Sequence, residues 1–211
     1  LFFMIACKEN KTARLLPGDL THDTVTTKIS SPSYTELKIR STNIHRELQH
    51  DNSTLNEQRL TAFITDSLLP SWYGTEWNFY GTTETPGKGT IACGYFVTTV
   101  LRDAGIGLNR IKLSQCASEE MIKKVTRKES ISRFRNKPQQ EFINEMLLKE
   151  PGLYIIGLDF HTGFIYHNGK ELFFIHSSYA YPKKVIREKA DQSGVLSASK
   201  YKIIGRVNMQ L

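Results

Sequence analysis

Apolar residues recur along this chain first at helical and later at strand spacing. The clearest helical pattern begins at Thr54, whose spacing to Glu57 matches a capping box. We predict that this helix ends at Pro70, because proline disfavours helical geometry in the residue that precedes it. The four predicted helices begin near Tyr34, Thr54, Cys93 and Pro138.

Strand-like runs dominate the second half of the chain. They are short, rich in β-branched and aromatic residues, and separated by turn residues. Helices therefore gather in the first half and strands in the second, a segregation typical of the α+β class, with N-terminal helices packed on an antiparallel sheet. The predicted strands cover 153–158, the two arms of a hairpin around Asn168-Gly169, 184–189 and 201–207.

The predicted hairpin brings two histidines together. Asn168-Gly169 predicts a two-residue type I′ turn, so the strand register follows by counting outward from it. Because side chains alternate with period two, His161 then faces His176 with Cβ atoms roughly 5 Å apart. The alternative is a half-buried strand pair that happens to carry histidine. The predicted pairs are His167–Lys170, Ile165–Leu172, Gly163–Phe174 and His161–His176.

Cys93 is the candidate nucleophile for this histidine pair. It opens an apolar helix that stops at Gly105, and it follows a Gly/Thr/Pro-rich loop at 81–90. At a helix N-terminus the dipole and the unpaired amides favour a thiolate, so we expect a lowered pKa for Cys93. The alternative is a small core residue, which is the commoner role of an isolated cysteine in an apolar segment.

Length and charge limit the fold and the classes of partner. With 211 residues and 39% hydrophobic content, the chain can bury one good core, so one domain is expected. The net charge of +7 suits nucleic acid, an anionic membrane surface or a polyanionic wall. Nucleic acid and nucleotides have little support, since the sequence has neither an aromatic-interleaved basic stripe nor a phosphate-binding loop.

The cysteines and histidines indicate neither a disulfide framework nor a metal site. Of the three cysteines, Cys93 and Cys116 could pair with each other or stay free if Cys7 is acylated. His167 lies beside the predicted turn, roughly 20 Å along the strand from His161, so the histidines of the hairpin do not gather as zinc ligands. We therefore expect no metal and no cofactor.

The first residues resemble the end of a bacterial lipoprotein signal peptide. Met4-Ile5-Ala6-Cys7 is similar to a lipobox, in which the cysteine is lipidated after cleavage, and the preceding apolar run is too short to span a bilayer. The alternative is a disordered apolar terminus. We expect a signal remnant at 1–7, a polar flexible tether at 8–33 and a catalytic domain at 34–211.

Several features in chain order resemble one known family. A cysteine opens a helix, a strand is entered through Glu150-Pro151-Gly152, and the segment HTGFIY from His161 leads into a hairpin that ends FIH at His176. This arrangement resembles the NlpC-type papain-like cysteine peptidases of bacterial cell-wall turnover. The similarity covers roughly 72–179, about half of the chain.

The resemblance implies a papain-like fold and three catalytic roles. Cys93 would attack an amide carbonyl, His161 would act as the general base, and His176 would orient that base. The implied substrate is a peptide bond of a peptidoglycan stem peptide, such as the bond between D-glutamate and a diamino acid. The implied location is the bacterial cell envelope, with membrane attachment through the lipid anchor alone.

The residues that would recognise the substrate match the family less closely. Trp77 or Tyr80 stands where the family has an upstream tyrosine, and Asp159 is a candidate for substrate contact or for a turn. The family motif Asp-Cys-Ser-Gly reads Ala92-Cys93-Gly94 here, and the oxyanion would be held by the Cys93 amide with a second donor not identified.

Two other functions remain open from the sequence. One is amide hydrolysis or acyl transfer on a different substrate with the same scaffold, which the altered flanks of Cys93 favour. The other is a non-catalytic envelope lipoprotein that binds wall fragments. The sequence gives no indication of the oligomeric state.

Overall fold

The computed structural model describes residues 31–51 and 53–211. The predicted lipidation site at Cys7 and most of the predicted tether at 8–33 lie outside these residues. From Pro32 onward the chain forms one compact unit. Within the described residues, every helix is too short or too polar to cross a membrane.

The first helices agree with the predicted positions but differ at their ends. Helix α1 (Tyr34–His50) begins with a capping box formed by Ser33 and Glu36, and helix α2 (Thr54–Phe63) is capped by the hydroxyl of Ser53. The predicted capping box at Thr54 is therefore wrong by one residue. The N-cap is Ser53, one position earlier, and its hydroxyl accepts a hydrogen bond from the Asn56 amide.

The prediction that Pro70 ends this helix is also wrong. After α2 the backbone continues as a π-helical segment, Ile64–Leu68, and then as helix α3 (Leu69–Trp72). Pro70 is the second residue of α3 and follows the π-helical segment directly, so it lies inside a continuous helical path. The π-helical segment widens the turn before the proline, so the helical path continues past it.

The helices at 93–103 and 139–147 and the strands from 152 onward lie close to their predicted positions, whereas the helices at 110–114, 118–125 and 194–198 and the strands at 76–77, 90–91 and 132–135 were not predicted. The predicted strands at 153–158, 184–189 and 201–207 are present to within about a residue. Helices α4 to α8 are Cys93–Asp103, Arg110–Ser114, Ser118–Val125, Gln139–Leu147 and Gly194–Ala198. Strands β1 to β8 are Glu76–Trp77, Thr90–Ile91, Ser132–Arg135, Gly152–Leu158, Thr162–His167, Leu172–Ser177, Val185–Lys189 and Tyr201–Arg206.

The described part of the chain contains a six-stranded antiparallel sheet in the order β3-β8-β4-β5-β6-β7. Strand β4 is buried over its whole length, because helices cover both faces of the sheet. Ile155 belongs to the core with α1 to α4 and α6, whereas the next residue, Ile156, belongs to the core with α7 and α8. The mixed α+β class with an antiparallel sheet is therefore confirmed.

The hairpin of β5 and β6 has a different register from the predicted one. Ile165 pairs with Phe174 instead of Leu172, so the strands are offset by two residues. The side chain of Asn168 accepts hydrogen bonds from the amides of Lys170 and Glu171, which opens the two-residue turn into a four-residue loop at 168–171. A slip of two residues keeps each side chain on its predicted face.

Candidate active site

Cys93 is positioned by the link between strand β2 and the sheet. The Ser177 hydroxyl, at the end of β6, donates a 2.7 Å hydrogen bond to the Ile91 carbonyl, two residues before Cys93. Helix α4 begins at Cys93 and has no side-chain cap, so its first amides point toward the thiol unpaired by a capping oxygen. This arrangement places the thiol beside the open end of the β5–β6 hairpin.

Gly94 allows a second segment to approach the nucleophile. A Cβ atom at Gly94 would lie 2.4 Å from the Ser114 carbonyl oxygen, a distance at which something must move. Glycine is therefore required for α5 to pack against the first turn of α4. This contact explains why glycine follows Cys93 here, where the family resemblance would place serine.

His161 and His176 form a hydrogen-bonded pair, although they are not directly opposite. The distance between His161 Nε2 and His176 Nδ1 is 2.8 Å, and the two side chains are 5% and 0% exposed. Gly163 takes the place opposite His176, where an added Cβ would lie 2.8 Å from that of the histidine. The missing side chain leaves room for the His176 ring to reach diagonally toward His161.

The pair extends to a carboxylate. Glu188 Oε1 lies 3.2 Å from His176 Nε2, and Glu188 is on β7, opposite Phe174 and on the same face as His176. Phe174 stacks on the His176 ring at a centroid distance of 3.9 Å. The three groups form a chain, His161–His176–Glu188, that ends at the edge strand of the sheet.

This chain defines which ring nitrogens carry protons. The Glu188 carboxylate accepts a hydrogen bond from the N–H at His176 Nε2. Neutral His176 therefore has an unprotonated Nδ1, which can only accept. His161 must then donate from Nε2, and its Nδ1 carries the free lone pair. His161 therefore presents an unprotonated nitrogen on the side of the ring that is not bonded to His176.

Cys93 and His161 lie in the walls of the same two cavities. The larger is an open cleft of about 660 Å³ and the smaller has about 260 Å³. Both residues line both cavities, so Cys93 and His161 border the same space. The structure thus brings together the three residues predicted as catalytic, Cys93, His161 and His176.

Burial controls the ionisation of the groups at the site. Burial raises the pKa of the Cys93 thiol, although the nearby amides of Thr162, Gly94 and Cys93 oppose this shift. The expectation of a lowered pKa at Cys93 is therefore wrong, because desolvation outweighs the helix N-terminus. Burial and the adjacent His176 lower the pKa of His161 to about 3.

The protonation states of His176 and Glu188 support the same arrangement of protons. Burial lowers the pKa of His176, and Glu188 offsets part of that shift. Partial burial opposes ionisation of Glu188, but its hydrogen bonds with His176 and Ser193 lower its pKa overall. At neutral pH the site therefore holds a thiol, two neutral imidazoles and a carboxylate.

Comparison of the chain with family models, with curated proteins and with solved structures finds no match. The function is therefore inferred from the geometry of the site.

The predicted substrate-binding residues lie in different surroundings. Trp77 and Tyr80 both line the larger cleft with Cys93 and His161. Asp159 lines the smaller cavity, but its carboxylate accepts hydrogen bonds from the Ser199 hydroxyl and from the amides of Lys200 and Tyr201. This is the role of a turn residue, and contact of Asp159 with substrate stays a prediction.

Cys116 lines the smaller cavity with Cys93 and His161, whereas His167 lies apart from the candidate site. Cys116 and Cys93 are both free thiols, and Cys116 donates to the Leu113 carbonyl. His167 is buried at the far end of the hairpin, where its Nδ1 accepts from the Gly169 amide. Among the described residues, no group of three or more His, Cys, Asp or Glu side chains is arranged to hold a metal ion.

Sequence reasoning missed Glu188. The predicted strand at 184–189 contained the residue, but its pairing with the hairpin could not be derived from the turn alone. Alternation along VIREK places Glu188 on the same face as Ile186, and an acid on an apolar face was the signal that could have found it.

Proposed function

We propose that this protein is a cysteine-dependent amide hydrolase. The observation that carries the proposal is a buried chain of hydrogen-bonded groups, His161–His176–Glu188, whose first ring shares two cavities with Cys93. A nucleophile, a base and an orienting group in this order are the parts that thiol catalysis requires. The order of elements supports an NlpC-type papain-like scaffold.

The first step is attack of the Cys93 sulfur on the amide carbonyl. Because burial keeps Cys93 as a thiol and His161 neutral, the proton moves from the sulfur to His161 Nδ1 as the carbon–sulfur bond forms. The negative charge on the carbonyl oxygen is stabilised by the amides of Cys93 and Gly94 at the start of α4. The Gly94 amide supplies the second donor.

The second step returns the proton. The carbon–nitrogen bond breaks, the leaving amine takes the proton from His161, and a thioester to Cys93 remains. Water then attacks the thioester carbonyl and gives a proton to His161; the carbon–sulfur bond breaks, the sulfur takes that proton back, and the acid is released. Throughout these steps Glu188 stabilises the positive charge that develops on the imidazole pair.

The resemblance supplies the first candidate substrate, a peptide bond in a peptidoglycan stem peptide. Incubation of the full chain with muropeptides, followed by mass spectrometry, tests it. We expect a new product pair with the wild type and with Cys116→Ala, and none with Cys93→Ala. Muropeptides that are bound but not cleaved would indicate a wall-binding lipoprotein. Failure of the wild type to cleave either muropeptides or simple acyl and peptide substrates would overturn hydrolysis.

A second candidate substrate is favoured by the composition of the larger cleft. The residues that line it include no Asp, Glu, Lys or Arg, whereas stem peptides carry several ionised groups. An amide or ester with uncharged, apolar flanks fits the same chemistry. We therefore propose this substrate class as an alternative to the wall peptide. For both substrates we propose that the protein is located in the cell envelope and attached through a lipid at Cys7.

A further inference from the structure

The larger cleft beside Cys93 is bordered by a group of aromatic side chains, which we term the aromatic cleft. Its volume of about 660 Å³ is typical of a site for a small molecule. His161 contacts this group directly, since its ring lies 5.2 Å from that of Tyr179, which in turn contacts Trp77. The aromatic residues that line it are Trp77, Phe79, Tyr80, Tyr95, Phe160 and Tyr179.

Three of these side chains are held in solvent. Phe79 is 71% exposed, Tyr80 is 84% exposed and Phe160 is 97% exposed. Phe79 and Tyr80 precede β2, whereas Phe160 precedes β5, so two separate segments deliver apolar surface to one cleft. Apolar surface that is concentrated around a cavity marks a binding site for an apolar group.

The guanidinium of Arg110, which lies beside the aromatic cleft, is held by hydrogen bonds to the protein. Arg110 lies against the Tyr95 ring at 4.7 Å, but its guanidinium is bonded to Thr99 and to the carbonyls of Thr82 and Thr83. The residues that line the cleft include no Asp, Glu, Lys or Arg. A ligand with a carboxylate or an ammonium group would lose hydration in the cleft and find no opposite charge there.

The second cavity differs from the first. It has about 260 Å³ and is lined largely by small and polar residues, among them Gly94, Ser114, Ala117 and Ser118. Since Cys93 and His161 border both cavities, the scissile bond must lie beside them. One side of the bond then extends into the aromatic cleft and the other into the smaller cavity.

We propose that the aromatic cleft binds an uncharged, apolar chain attached directly to the scissile amide or ester. The thiol chemistry of this inference rests on the proposed function, whereas the binding of the chain rests on the cleft alone. The chain is bound by contact with aromatic faces, while the scissile carbonyl is oriented by the amides of Cys93 and Gly94 at the start of α4.

A binding measurement tests the proposal without turnover. The full chain with Cys93→Ala is titrated by calorimetry with N-acyl glycinamides that carry butanoyl, hexanoyl and octanoyl chains. For a half-covered chain we expect affinity to rise about twofold per methylene, half of the fourfold that full burial of about 0.8 kcal/mol provides. The gain from butanoyl to octanoyl is then about 16-fold.

Three further ligands test where the chain binds and whether the site rejects charge. Acetyl amides with butyl and octyl chains on nitrogen show whether the chain lies on the carbonyl side or the amine side, and length dependence in either series supports the proposal. An adipoyl glycinamide, with a carboxylate at the chain end, should bind at least tenfold more weakly than hexanoyl. Affinity that is independent of chain length in both series, or equal for adipoyl, would overturn the proposal.

Variants at exposed positions distinguish binding in the aromatic cleft from nonspecific binding elsewhere on the surface. In the Cys93→Ala background, Phe160→Ala should reduce the octanoyl-to-butanoyl ratio, and its high exposure means that folding is preserved. Leu148→Ala is the matched control, since Leu148 is 87% exposed and lies outside the cleft. An equal loss in both variants would show that the chains bind elsewhere.

Failure of the cleft to bind apolar chains can be distinguished from failure of the protein to hydrolyse amides. Length-dependent binding without cleavage of any amide by the wild type would leave the cleft assignment intact and refute hydrolysis. Cleavage that depends on Cys93 but is accompanied by binding without length dependence would refute the cleft assignment and leave hydrolysis intact.

Discussion

The buried neutral state of His161 predicts a loss of stability in acid. Its pKa is about 3 in the folded protein, against about 6.5 in an unfolded chain. A base with a lowered folded-state pKa binds fewer protons when folded. Its contribution to stability is therefore present above pH 6.5 and is lost as the pH falls from 6.5 toward 3.

The size of this loss follows from the two pKa values. Each pH unit between them costs about 1.4 kcal/mol in the free energy of unfolding. At pH 4.5, two units below the unfolded pKa, the loss is about 2.7 kcal/mol. This is a substantial part of the total stability of an ordinary domain.

The assay compares the wild type with His161→Gln by urea denaturation at pH 7.5 and pH 4.5. Glutamine keeps a polar group near His176 but does not titrate. Other groups, including the buried His45, titrate in both proteins, so the difference between them isolates His161. We expect the wild type to lose about 2.7 kcal/mol more than the variant between the two pH values. Equal losses would show that folded His161 has an ordinary pKa, and would refute the assignment of the neutral base.

Four further predictions address the site. The acidic limb of kcat/KM should fall near pH 3 rather than 6.5, because the free enzyme needs neutral His161; a midpoint near 6.5 would contradict this. Alkylation of Cys93 by iodoacetamide in the free protein should accelerate with a midpoint at higher pH than for an ordinary cysteine, because burial raises the pKa of its thiol; fast labelling at pH 7 would contradict this. Glu188→Gln should lower kcat by about tenfold to a hundredfold with KM unchanged, because a hydrogen bond to a charged group contributes about 1.5 to 3 kcal/mol. The control is Glu171→Gln, which removes one partner of an exposed ion pair and should leave kcat unchanged. Gly94→Ala should destabilise the protein by about 1 to 3 kcal/mol in urea denaturation, while Gly194→Ala, with open space around its Cβ position, should not.

Local patterns were sufficient to predict most of the elements. Strands near 153, 184 and 201 and the start of α4 at Cys93 were found because each combines an apolar run with a terminating turn or cap. The end of the second helix was not, since a π-helical segment before Pro70 depends on packing beyond the local sequence. The position of α7 and α8 on the second face of the sheet also depends on tertiary contacts.

The candidate site shows the same division. The pairing of His161 with His176 followed from alternation within one hairpin, even though the turn was assigned two residues too short. Glu188 reaches the pair from a neighbouring strand whose register no local signal encodes. The pKa of Cys93 was predicted with the wrong sign, because the depth of burial at a helix start cannot be derived from the helix alone.

The four-residue loop at 168–171 sets a rule for altering this protein. A lengthening of the loop by two residues, if the strands followed it, would keep His161 and His176 on one face of the sheet but move them roughly 7 Å further apart along the strands, beyond hydrogen-bond distance. A change by one residue, if the strands followed it, would turn one imidazole toward the opposite layer and break the relay. Loop grafts at this remote tip should therefore preserve the relay only when they leave the strand register unchanged.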